Sequence, residues 1–344
     1  MSQSSRAVSH RWAGLLSLAA ATAIAGHAFA WGASGHRMVG QAAMLGLPDE
    51  VPAFLRTPEA VAKIGELARE PDRWKGAGKT HDSDLDPGHF TSVDDTGKVE
   101  GGPLLSALPP TRSEQETAIR AAGGDGWKAG YLPYSIIEGW QQIAKDFAYL
   151  RVDEAAAKST PDAAHKAWFV ADAAERRELI LRDIGVFAHY VGDGSQPLHV
   201  SIHYNGWGPY PNPNNYTQDH IHGPFEGELV HRSVTLDMVR AKMAPVRDCG
   251  CAIEQRTADY LAATNAKTIP LYELQKAGGL AAGDPRGAAF ATERLAAGAN
   301  ELRDLIVMAW RASEEGEVGY KPAYKASEIE AGKVDPYESM FGVD

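Results

Sequence analysis

The chain is 344 residues long, 44% hydrophobic, and carries a formal charge of −11. That is enough apolar material for a sizeable core, in one large domain or two ordinary ones, and the acidic balance excludes a broad basic face of the kind that grips nucleic acid. Only Cys249 and Cys251 are present, so disulfides do not organise the fold. The strain of bridging one intervening residue argues against a bond between them.

The first thirty residues read as a secretory signal. Arg6 and Arg11 precede an apolar stretch from Trp12 to about Gly26, and Ala28-Phe29-Ala30 supplies the small residues a signal peptidase reads. Cleavage is expected between Ala30 and Trp31, leaving a soluble protein that is secreted or periplasmic. No later segment approaches the ~20 apolar residues of a spanning helix, so no transmembrane segment is expected. Losing the two arginines leaves 32 basic against 45 acidic residues, a balance of −13. Attraction of an anionic substrate must then be local, and bound cations are its natural source.

From residue 31 onward, helical periodicity dominates. Candidate helices run over residues 35–45, 58–69, 114–122, 133–157, 161–191, 225–243, 251–265 and 288–314. Within the fifth, Ile180, Leu181, Ile184, Phe187, Ala188 and Val191 recur at spacings of three and four, which makes one buried face. Strand-like alternation is nearly absent. Long Gly/Pro/Asn-rich loops are expected at 75–110 and 201–224, and loops of that length in a compact domain are usually functional or disordered. Residues 31–314 read as one all-α domain, and 315–344 as a polar, irregular C-terminal extension.

The chemistry concentrates in the histidines. His189, Asp193 and His199 form H-x3-D-x5-H in the string FAHYVGDGSQPLH. Residues four apart share a helix face, so His189 and Asp193 can converge on one ion. Gly192, Gly194 and Pro197 end the helix and let the chain return with His199. His222 and Glu226, in HGPFE, are a second pair four apart. Imidazole with carboxylate is the donor set of catalytic zinc. Trp31, the expected new N-terminus, begins WGASGHRMVG. A free α-amine titrates near ~7.7, and with its own carbonyl it forms a five-membered chelate.

At this point the chain resembles the superfamily of bacterial zinc-dependent phospholipases C and the single-strand-specific nucleases of fungi and plants. Members begin their mature chains with a zinc-ligating tryptophan, and the nuclease branch places a histidine five residues on, where His36 stands. GDGSQPLH is similar to the core shared by both branches. The resemblance, covering roughly Trp31 to Arg240, implies a single multi-helix domain with long active-site loops and three zinc ions. Asp72, His89, His189 and Asp193 would hold one ion, and His199, His222 and Glu226 a second. The amine and carbonyl of Trp31, with His36 and a shared oxygen of Asp193, would hold the third. Asp72 lies in EPDRW and His89 in DPGHFTSVDD, where His81, Asp82, Asp84 and Asp86 compete. His220 competes with His222, but only His222 is four residues from Glu226. His165, His203 and His231 are assigned to surface or core roles.

The resemblance further implies a phosphodiesterase in which a hydroxide shared by two zincs attacks phosphorus. Asp94 or Asp95 would orient the water, and Lys75 would sit near the phosphate. Trp31 with His36 favours an endonuclease and 3′-nucleotidase acting on single-stranded DNA and RNA. Glu226 is a mark of the phospholipase branch, so phospholipid is the alternative substrate, and a metal-binding protein without catalysis is the second alternative. The loop from His203 to Tyr216 is rich in Tyr, Trp and Asn, which could stack a base, form a lip for lipid, or pack together.

Overall fold

A helical hairpin of two long helices forms the frame, and its sequence explains both the length and the turn. Among the 28 residues of the first and 31 of the second, apolar side chains recur along one face and no proline interrupts the interior. Asp162 stops the intervening turn by accepting hydrogen bonds from the backbone N–H of Ala164 (2.8 Å) and His165 (3.0 Å), an N-cap that starts the second helix. The computed structural model describes residues 31–75, 77–78 and 85–342. The expected signal segment, and the competing ligands His81, Asp82 and Asp84, lie outside the described residues.

In chain order the helices are α1 (Ala33–Leu45), α2 (Pro58–Leu67), α3 (Glu70–Trp74), α4 (Arg112–Ala121), α5 (Gly126–Ala129), the hairpin pair α6 (Leu132–Ser159) and α7 (Ala163–Asp193), α8 (Val230–Ser233), α9 (Leu236–Ala241), α10 (Ile253–Asn265), α11 (Thr268–Lys276), α12 (Pro285–Ala312), α13 (Ala326–Glu330) and α14 (Tyr337–Phe341). The molecule is mostly helical, as expected. Helices α1 and α12 pack on one another and on the hairpin, and α2 lies across α1 and α7. One apolar cluster runs through these elements, with Val39, Ile64, Phe147, Phe187, Leu295 and Ile306 buried in it. Among the described residues, no helix is long and apolar enough to cross a membrane.

Three local expectations need correction. The helix expected over 225–243 is interrupted: a π-helical turn (Pro224–Leu229) leads into α8, and Thr235 then caps α9 by accepting from Met238 N–H. β-branched Val234 followed by Thr235, a good capping residue, favours that break, which periodicity alone conceals. Cys249 and Cys251 are bonded to each other. The segment after residue 314 is not irregular. Strand β1 (Glu317–Val318) pairs antiparallel with β2 (Tyr324–Lys325), and α13 follows. Val318, Ala326 and Ile329 bury against Ala148 and Val152 of α6, a small second core. Tyr337 of α14 stacks on His165 at 3.5 Å.

One close contact positions the site that follows. A Cβ added to Gly185 of α7 would lie 2.3 Å from Leu67 Cβ at the end of α2, so glycine alone permits this approach. Gly185→Ala gains about 1 kcal/mol of helix propensity but must push α2 away, an overpacking that costs ~1–3 kcal/mol. A net loss of stability on urea denaturation is expected. Unchanged stability would show that the two helices separate freely.

Candidate metal centre

Three groups of His, Asp and Glu converge in the interior: His36, His189 and Asp193; Asp72, His89 and His189; and His199, His222 and Glu226. Within each group the potential ligand atoms lie within 4.8 Å of one another. All are buried except Asp72, which is partly so. These groups could hold metal ions. They contain every side-chain ligand expected from the sequence other than Trp31.

Asp193, the last residue of α7, is the common point. Its Oδ2 lies 3.1 Å from His89 Nδ1 and 3.3 Å from His189 Nε2, and its Oδ1 lies 3.4 Å from His36 Nε2. His189 and Asp193 share the final turn of α7, as their spacing requires. His36 enters from the first turns of α1, its ring stacked on His189 at 3.9 Å. A side chain at Gly192 would crowd it, because an added Cβ would sit 3.1 Å from His36 Nδ1. Asp72, on α3, is held by Lys75 Nζ at 2.9 Å and lies 3.9 Å from His189 Nε2. Asp86 belongs to none of the groups.

The third group is built on the π-helical turn, where an i, i+4 pair places His222 Nε2 2.8 Å from Glu226 Oε2. Such turns recur at functional sites because the extra residue redirects side chains. His199 Nε2 lies 3.0 Å from His222 Nε2 and 3.5 Å from the same carboxylate. Competing His220 is exposed.

Backbone carbonyls fix which nitrogen three of the five rings present. His189 Nδ1 donates to Ala68 O (2.8 Å), His199 Nδ1 to His89 O (2.7 Å) and His222 Nδ1 to Tyr204 O (2.8 Å). A carbonyl only accepts, so each Nδ1 carries a hydrogen and each neutral Nε2 turns a lone pair inward, the arrangement that orients metal-binding histidines. At the third group two lone pairs and a carboxylate thus face one another, and only a proton or a cation between them relieves the repulsion. Tetrahedral ligands with bonds of ~2.0–2.1 Å are about 3.3 Å apart, close to the separations seen. Buried His36 Nδ1 and Nε2, Asp193 Oδ1 and Glu226 Oε1 have no hydrogen-bond partner, which also fits donors arranged for an ion.

Without a cation, protons take its place. Burial works against a charged His199, yet Asp193 and Glu226 lift its pKa to about 9. Burial likewise opposes charge on His189, and Asp193 outweighs it. Burial pushes His36 down to about 3, with His189 adding to the effect, and pushes His89 to about 4 against the pull of Asp193. Burial would raise the Asp193 pKa, but His189 and His199 hold it well below the usual carboxylate range.

Trp31 is fully buried, packed on Phe225 at 5.5 Å between ring centroids. Its indole Nε1 donates to Gly192 O (2.9 Å) and reaches Ser195 Oγ (2.8 Å), which ties the start of the described chain to the residue beside Asp193. Asp94 accepts from Thr96 and Lys98 within its own turn, and Asp95 pairs with His203 Nε2 at 3.0 Å. Neither belongs to the three groups. In the aromatic loop, Trp207 and Tyr216 are core residues packed on Tyr272, whereas Tyr204 and Tyr210 are exposed. The loop mainly packs together, and its backbone supports His222. His231, exposed, meets Ser34.

Sequence reasoning missed Gln196, whose Nε2 donates to Glu226 Oε2 at 3.0 Å while its Oε1 accepts from Leu198 N–H. It stands inside the QPLH string, but nothing in one strand of sequence points a glutamine at a carboxylate thirty residues on. Arg294 Nε, donating to Ser195 O at 3.0 Å, braces the same turn from α12. No family model, no curated protein and no solved structure matches this chain.

Two measurements test the centre. In the metal-free protein, charged His199 contributes stability that is complete below the ordinary histidine value near ~6.5 and is lost as pH rises through about 9. A metal must displace that proton, so zinc affinity should weaken on acidification below about 9, approaching about tenfold per pH unit for one displaced proton. Chelator competition measures this, and a flat profile would exclude His199 as a ligand. Separately, Asp193→Asn keeps the shape but removes the charge that three histidines share. Bound metal should fall by more than one equivalent, and loss of none would reduce Asp193 to a helix-end hydrogen bond.

Proposed function

We propose that this protein is an exported, zinc-dependent phosphoesterase that hydrolyses the phosphodiester bonds of single-stranded DNA and RNA, and 3′-nucleotides. The observation that carries the reading is the His199–His222–Glu226 group. Its two imidazoles are locked as inward lone-pair donors by carbonyls and joined by one carboxylate, the donor set catalytic zinc takes. Zinc at the three groups would supply Lewis acidity to a phosphoryl oxygen and a water of lowered pKa.

The chain's own residues would then orient and hold. Asp193 links His36, His89 and His189, so ions in the first two groups would be electrically coupled through it. Lys75 holds Asp72 and places a cation beside the centre, a local attraction for phosphate in a protein of net charge −11. Burial opposes the charge of Lys75, but Asp72 keeps its pKa raised, so it stays cationic. Removal of residues 1–30 would free the Trp31 amine close in sequence to His36 and complete the set that contains His36 and Asp193. Asp94 and Asp95 stay outside this reading, since both carboxylates are engaged elsewhere.

Purified mature protein should carry about three zinc ions per chain by elemental analysis. In parallel assays it should hydrolyse single-stranded DNA, RNA and 3′-nucleotides in preference to phosphatidylcholine. Full activity in a preparation free of transition metal would end the zinc reading, and strong preference for phosphatidylcholine would move the assignment to the phospholipase class.

A further inference from the structure

Beside the turn that carries His89 lies a cleft of about 600 Å³ whose wall includes Pro87, Arg112, Glu116, Arg120, Trp127 and Tyr131. The volume falls within the range of small-ligand sites. Two features of the wall are chemically specific. The first is a pair of arginines one face apart on α4, in a protein that is otherwise acidic. Glu116 takes one contact from each, from Arg112 Nε and Arg120 Nη2, both at 3.2 Å. A guanidinium has five N–H donors, so among the described residues Glu116 engages only a minority of them, and the Arg120 side chain is 71% exposed. Arg112 is held flat over the Tyr131 ring at 3.4 Å, which fixes its direction.

The second feature is Trp127, half exposed although it belongs to the wall. Its ring is set edge-on against Phe90 (centroids 6.2 Å, interplanar angle 74°), and Phe90 directly follows His89. The nearby acid Asp125 turns its carboxylate to the backbone N–H groups of Trp127 and Lys128. The cleft therefore joins a fixed planar aromatic surface to a pair of guanidiniums, and is coupled through Pro87–Phe90 to the metal centre.

We propose that this cleft binds a nucleotide of the substrate strand next to the one being cleaved, its base on Trp127 and its phosphate on Arg112 and Arg120. Guanidinium forks recognise phosphate and an indole face stacks any base. A lipid chain would require apolar walls in place of the charged side chains. The inference rests on the nuclease reading for the identity of the strand, but not for the binding itself.

The test is binding, with the metal-loaded protein and a hydrolysis-resistant single-stranded phosphorothioate oligothymidine of about eight residues, read by fluorescence anisotropy. Trp127→Ala and Arg120→Ala should each weaken binding by about tenfold, the loss expected for one stacked base or one phosphate contact. Trp127→Phe should restore most of the loss. Melting temperature and zinc content, retained in the variants, exclude unfolding. Equal affinity of parent and variants overturns the cleft assignment, whatever the enzyme hydrolyses. Oligothymidine held through Trp127 and Arg120 by a protein that cleaves only phospholipid supports the cleft while overturning the nuclease reading.

Discussion

A fully buried carboxylate at the wrong end of a helix is the constraint on which this structure depends. Asp193 is the last residue of the 31-residue α7, where the carbonyl end of the helix already carries partial negative charge. Burying an anion there is costly unless positive partners meet it. Three histidines from three segments surround it: His36 from α1, His89 from the short turn before Phe90, and His189 from the preceding turn of α7. Of these His189 holds a proton readily, whereas burial keeps His36 and His89 uncharged. Protons or metal cations must supply the compensating charge, which makes this interior a place where proton and metal occupancy exclude one another.

The long connections take their meaning from that demand. Three of the rings, those of His189, His199 and His222, have a carbonyl behind them, supplied by Ala68 after α2, by His89 and by Tyr204. The loop over 201–224 has few hydrogen bonds of a regular element to make, and it uses its backbone to hold His222 instead. Its aromatic side chains pack under it, with Trp207 stacked on His203 at 3.6 Å. The site thus combines helix-borne residues, His36, Asp72, His189 and Asp193, with residues on the short turns and connections between helices.

The net negative charge and the arrangement of cations are consistent with one another. A protein of this charge repels a polyanion at long range, so recognition falls to local cations. Lys75 stands at the metal groups, and Arg112 and Arg120 stand at the adjoining cleft.

The sequence by itself determined the helical class, the two long helices and most of the candidate ligands. Periodicity reports burial directly, and ligands four apart on one helix need no tertiary information to be paired. Hence His189 with Asp193, and His222 with Glu226, were legible as strings. The tertiary structure alone decided what crosses between segments. It brought His36 onto His189, turned Gln196 toward Glu226, and buried Trp207 while leaving Tyr204 exposed. It also folded the segment after residue 314 back onto α6 through Val318, Ala326 and Ile329. Those outcomes depend on which faces meet, and a side chain's partner across a helix boundary leaves no periodic trace in the chain. The same holds for the cleft: Arg112 and Arg120 read as ordinary surface residues of α4 until Trp127 and Pro87 are brought against them.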